Sequence, residues 1–226
     1  MSYLTAAIRW RPAWRVIPTR YPAVGLFERV ARPEDFDALY ALEAMTNDRL
    51  RDEVGDISLV PVGERLFDPG STCIMAAFTH ANPQGSRFSD GSYGVFYCAR
   101  TRATAIAETR HHAARFMAAT HEPPMRLHMR LYAVEAQGRI ADLRKAALED
   151  PRIVDPANYA PTQALGRMLR TEGALGIVYP SARHTGGQCL AALRTVLVKD
   201  CRHAAYMEYQ WDGKGIVAVF EVSRVM

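Results

Sequence analysis

Hydrophobic and polar positions change period most sharply near residue 100. Residues 95–99, Val-Phe-Tyr-Cys-Ala, form a continuous apolar run with the pattern of a buried strand. That run breaks at Arg100 and Thr101 into a helical repeat that stops before Pro123 and Pro124. Thr101 is the predicted N-cap, and Ala103, Ile106, Ala107, Ala114, Met117 and Ala118 form the predicted inner face. Residues 125–134 alternate and predict a strand, with a second strand over 139–143 after a turn at Gln137 and Gly138. Residues 162–171 predict a helix ended by Gly173, and 176–179 a short buried strand followed by a polar loop over 180–187. Residues 188–198 and 205–222 supply the last strands, with Asp212-Gly213 as a hairpin turn.

The first third is less regular. Residues 1–23 mix Trp10 and Trp14 with Pro12, Pro18, Pro22 and basic residues, the composition of an irregular arm packed through its aromatics. Residues 25–30 predict a short strand carrying Arg29, and 33–51 a long helix started by Pro33, Glu34 and Asp35. Residues 61–71 are loop-like. Residues 72–79 fit a short helix or a strand, and 82–94 are turn-rich with Arg87-Phe88 near their middle. Strands outnumber helices and several neighbours read as hairpins. The expected class is α+β, with a mixed, mainly antiparallel central sheet and flanking helices. The organisation expected is an arm over 1–23 and one domain over 24–226.

The 226 residues suffice for one domain with a real core, and 49% apolar with 23% charged residues is ordinary for a globular chain. No apolar stretch is long enough for a helical membrane span, and Arg9, Arg11 and Arg15 interrupt any signal-peptide core, so a cytoplasmic location is expected. Cys73, Cys98, Cys189 and Cys201 form no Cys-x-x-Cys pair and predict reduced, packed thiols. The +4 charge comes from 28 basic residues scattered among 24 acidic ones, which suits a small anionic ligand or an acidic protein better than nucleic acid. Neither a Gly-x-Gly-x-x-Gly turn nor a P-loop is present.

Taken singly, the chemistry-bearing residues are ambiguous. Glu108, His111, His112 and Arg115 share a helix face and fit a solvated strip in which Glu108 pairs with His112. His111 and His112 diverge by about 100° on a helix and cannot share an ion, so no metal is expected. Ser181 follows a buried strand but lacks a nucleophile elbow. Arg29 and Arg87 have apolar neighbours, where a guanidinium needs an anion.

Together, Gly85-Ser-Arg87-Phe88, Gly94-Val-Phe-Tyr97-Cys-Ala99, Thr104-Ala-Ile-Ala-Glu108 and Gly176-Ile-Val-Tyr-Pro-Ser181 resemble the RES domain family of bacterial toxins, named for an arginine, a glutamate and a serine. Ser86 stands where a second glycine is usual, Phe88 where tryptophan is common and Val30 where some members have tyrosine. Residues 33–80 form an insertion relative to compact members. The resemblance implies a fold like that of ADP-ribosyltransferases and cleavage of the nicotinamide-ribose bond of NAD, with NAD as substrate and no separate cofactor. It implies Glu108, Arg29 and Ser181 as catalytic residues, and Arg87, Tyr97 and Phe88 as substrate-binding ones. It implies a toxin whose partner is an Xre-like antitoxin blocking the cleft, and it leaves room for a homodimer. The other functions compatible with it are an ADP-ribosyltransferase acting on a protein and a non-enzymatic binding module.

Overall fold

A computed structural model describes residues 4–19 and 54–223. The predicted strand over 25–30 with Arg29, and the predicted helix over 33–51, lie outside the described residues. Among the described residues, seven strands form one sheet: β1 (Thr5–Pro18), β2 (Phe96–Ala99), β3 (Met125–Asp142), β4 (Gly176–Pro180), β5 (Gln188–Ala192), β6 (Val198–Trp211) and β7 (Ile216–Val222). Their order is β1-β2-β5-β4-β3-β6-β7. Because β1 also pairs with β3, the first five strands of that order close on themselves and the β6–β7 hairpin extends from β3. Only β3–β4 is parallel, so the sheet is mixed and mainly antiparallel, as the pattern predicts.

Strand alternation sends neighbouring side chains into two cores. Tyr97, Leu131, Ile177 and Ala191 join one, while Phe96, Tyr132, Val178 and Leu190 join the other. Helix α1 (Ser71–Thr79) contributes Ile74, Met75 and Phe78 to the second core, so this part of the expected insertion is interior structure. Helix α2 (Arg102–Ala119) packs on the first core together with the neighbourhood of α4 (Ala160–Thr171); α3 (Ala146–Glu149) is a single turn between them in sequence.

Three local expectations need correction. Residues 5–18 are not an irregular arm but a full strand, paired with β3 from Thr5↔Ala141 to Pro18↔Met129, with the Arg11-Pro12 pair absorbed at a register shift between Trp10 and Ala13. Gln137 and Gly138 make no turn: they pair with Arg9 and Ile8 inside an uninterrupted β3. The inner face of α2 is rotated from the expected one. Thr104, Ala105 and Met117 are buried, whereas Ala103 and Ala118 are exposed.

Candidate active site

The strand-to-helix unit is built as its sequence dictates. Thr101 is extended and its hydroxyl accepts the Thr104 N–H, capping α2. The Thr104 hydroxyl lies 2.8 Å from Nδ1 of His184, which ties the helix start to the loop after β4. One turn further along α2, Glu108 faces that loop. Its Oε1 accepts from the Ser181 hydroxyl at 2.5 Å, the Ala182 N–H at 3.1 Å and the Cys189 thiol at 3.8 Å. Burial, then the charge of Glu108, pushes the Cys189 thiol up, keeping it protonated and able to donate. Oε2 accepts no hydrogen bond among the described residues.

Ser181 is fully committed. Its oxygen accepts the Arg183 and His184 N–H groups at 3.1 and 3.0 Å while its single proton goes to Glu108. A hydroxyl has one proton and two lone pairs, and here all are used. Ser181 thus holds one oxygen of the Glu108 carboxylate in place.

Tyr97 anchors the opposite wall. Its hydroxyl accepts the Phe88 N–H at 3.0 Å and lies 2.8 Å from the Ser86 hydroxyl, fixing the turn before β2. Burial raises its pKa to about 12, so it stays a neutral phenol. Arg87 is buried, donates to the Ile153 carbonyl at 2.9 Å and stacks over Tyr159 at 4.6 Å. Phe88 is fully buried, its ring edge-on to Tyr179 at 4.9 Å. It packs the core behind the site and is not among the residues that line the cavity.

These walls enclose a cavity of about 820 Å³ lined by Arg87, Tyr97 and Glu108 and by four side chains the sequence did not single out for it: Trp14, Arg15, His112 and Arg115. The volume is that of a site for a sizeable small molecule. Arg15 projects from β1, donates to the Tyr97 carbonyl at 2.8 Å and lies over the Phe96 ring at 4.5 Å. Arg29, the expected early arginine, lies outside the described residues, while Arg15 carries the same sequence signal, an arginine within an apolar strand run. His112 lines the cavity and keeps solvent contact, as expected of the solvated face; Glu108 pairs with the loop after β4 and not with it. Burial, then Arg183, Arg115 and Arg87, hold the His112 pKa below its ordinary value against the opposing pull of Glu108. Among the described residues no His, Cys, Asp or Glu cluster is placed to hold a metal ion, and no helix is long and apolar enough to cross a membrane.

Residues 64–212 match the RES domain. The chain belongs to the RES domain family. A relative named "Uncharacterized protein y4oC", from Sinorhizobium fredii (strain NBRC 101917 / NGR234), is 30% identical over 209 residues, 92% of this chain and 86% of its own length. A chain of the M. tuberculosis MbcT-MbcA toxin-antitoxin complex aligns with a TM-score of 0.48 at 13% identity, covering 92% of this chain and 87% of that one. Within this RES domain protein, Arg87, Tyr97 and Glu108 line one cavity, Ser181 supports Glu108 there, and β1, which precedes the matched residues, supplies Arg15 to the same place.

Proposed function

We propose that this RES domain protein is the toxin of a bacterial toxin-antitoxin pair and that it degrades NAD by cleaving the nicotinamide-ribose bond, with an Xre-like antitoxin blocking the cavity. One observation carries the reading. Glu108, the only carboxylate among the described lining residues, has one oxygen fixed by three donors and the other unengaged, in a cavity whose other full charges are Arg15, Arg87 and Arg115. That distribution matches a substrate with an anionic pyrophosphate and a carbon that becomes cationic as it reacts.

In the reaction the bond between ribose C1′ and the pyridinium nitrogen breaks heterolytically. The electron pair neutralises that nitrogen, so nicotinamide departs without a proton donor. C1′ is left with oxocarbenium character, the charge that a preorganised carboxylate stabilises. Oε2 of Glu108 supplies it, and Ser181, the Ala182 N–H and Cys189 stop the carboxylate from turning away. Water or phosphate then adds at C1′, giving ADP-ribose or its 1″-phosphate, and a water nucleophile releases its extra proton to solvent. Arg15 and Arg87, already engaged with backbone carbonyls, shape the wall and add positive potential.

Incubating purified protein with NAD and separating the products by chromatography tests the reading. Free nicotinamide with an ADP-ribose product is expected. Label transferred to protein without free ADP-ribose replaces hydrolysis with ADP-ribosylation, and no nicotinamide at all sinks the NAD reading.

A further inference from the structure

Glu108 occupies only one turn of the α2 face that lines the cavity. His112, Arg115 and Ala119 line it as well, at successive steps of four, three and four residues. At about 1.5 Å of rise per residue, His112 lies about 6 Å, Arg115 about 10 Å and Ala119 about 16 Å along the helix axis from Glu108. This stripe runs from a carboxylate, through an imidazole and a guanidinium, to a small residue beside Phe116, which lines the same end of the helix and is 53% exposed.

The cationic groups of the cavity are not equivalent. Arg15 and Arg87 each donate to a backbone carbonyl and stack on an aromatic ring. Arg115 makes neither hydrogen bond nor ion pair among the described residues, so its planar fork of donors remains available to a ligand. A guanidinium in that state suits phosphate oxygens, which it can grip with two parallel hydrogen bonds. His112 is likewise without a hydrogen bond among the described residues. It feels the charges of Glu108 and Arg115 on its own helix, of Arg183 in the loop after β4 and of Arg87 in the turn before β2. An anion between His112 and Arg115 relieves the crowding of positive charge there.

We infer that His112 and Arg115 are the diphosphate-recognition groups of this cavity, one and two turns along α2 from the carboxylate, so that the helix selects a dinucleotide over a nucleoside carrying the same scissile bond. The identity of the reacting end rests on the NAD reading above; the phosphate site itself does not. The distal nucleobase then falls toward Phe116 and Ala119.

NAD, nicotinamide mononucleotide and nicotinamide riboside share the bond at Glu108 but carry two, one and no phosphates. Arg115→Ala is expected to raise KM for NAD by about tenfold or more, the scale of one charge-assisted hydrogen-bonding group, with kcat changed by less than about twofold. The preference for NAD over the riboside should collapse by the same factor, and Arg115→Lys should recover part of it. Equal losses on all three substrates mean a structural role and overturn the inference, as does an unchanged KM for NAD. Calorimetric titration of ADP-ribose separates the two ideas. If wild-type protein cleaves none of the substrates yet binds ADP-ribose in an Arg115-dependent way, the phosphate site stands and the NAD-cleavage reading falls. ADP-ribose binding that ignores Arg115→Ala overturns the phosphate site whatever the turnover.

Discussion

Ser181 donates its only proton to Oε1 of Glu108 at 2.5 Å, joining residues 73 positions apart in the chain. The contact fixes which carboxylate oxygen is held and which is left for chemistry. Removing charge from the carboxylate is therefore a different experiment from releasing it. Glu108→Gln keeps the shape and loses the charge, so NAD turnover should drop by about a hundredfold or more, the scale of one preorganised electrostatic contact. Ser181→Ala keeps the charge and the Ala182 and Cys189 donors, so a smaller fall of about tenfold in kcat is expected. Steady-state nicotinamide release measures both. A serine variant as impaired as the glutamine variant would instead give Ser181 a direct part in the reaction.

Tyr97 offers a separate check on how the wall is held. Its hydroxyl takes the Phe88 N–H, the one hydrogen bond that group makes among the described residues. Tyr97→Phe leaves the N–H unpaired and frees the Ser86 hydroxyl, so unfolding free energy should drop by about 1–3 kcal/mol in urea titrations. Arg87 sits in the same turn, so KM for NAD should rise alongside. Unchanged stability would mean that the phenol does not clamp the turn.

How much of this was legible depended on whether the determining contacts were local. The unit from Tyr97 to Glu108 was readable because a strand, an N-cap and a helix face are encoded within a dozen residues. Ser181 was reachable only by its likeness to a family pattern, since its bond to Glu108 depends on β4 and α2 meeting in space. Arg15 was missed because Pro12 and Pro18 made its strand look irregular. The strand exists through its long pairing with β3, which no local window contains. Gly138 misled for a related reason. It reads as a turn glycine, but a Cβ there would sit 2.9 Å from Leu197 Cδ1, so its smallness serves strand-to-core packing. His112 and Arg115 are exposed, as a solvated strip predicts, and they also line the cavity, which helical periodicity alone does not show.

Acid stability should reveal the junction at the end of β3. Asp142 accepts from Arg144 at Nε (2.9 Å), Nη2 (2.7 Å) and the backbone N–H (3.0 Å), while Nη1 of Arg144 reaches Gln188 on β5. These hydrogen bonds, the side-chain ones foremost, hold the Asp142 carboxyl below its ordinary value of 3.8. Because the folded pKa is depressed, the contribution is fully present above the ordinary value and is lost as pH falls through the folded one. Urea midpoints followed from about pH 5 to about pH 2 should fall less steeply in Asp142→Asn than in the parent protein. Parallel pH profiles would remove this carboxylate from the account of acid unfolding.

Gly166 couples the fold to the site through a single close approach. In an ordinary helix interior, glycine to alanine stabilises by about 1 kcal/mol. Here a Cβ on Gly166 would lie 2.2 Å from the carbonyl oxygen of Phe88 and 2.9 Å from its carbon. That carbonyl cannot simply retreat. It accepts the Tyr93 hydroxyl at 2.5 Å, and the N–H of the same residue is held by Tyr97. Nor can α4 move off freely, since Gln163 on the same helix donates to the Ser86 carbonyl at 3.1 Å. Gly166→Ala must therefore break part of this clamp or displace the turn that carries Arg87, and it should destabilise the protein by about 1–3 kcal/mol despite the better helix propensity. Chemical denaturation gives the sign directly. A stabilised Gly166→Ala protein would show that α4 and the Arg87 turn are not in the tight contact on which this wall of the cavity depends.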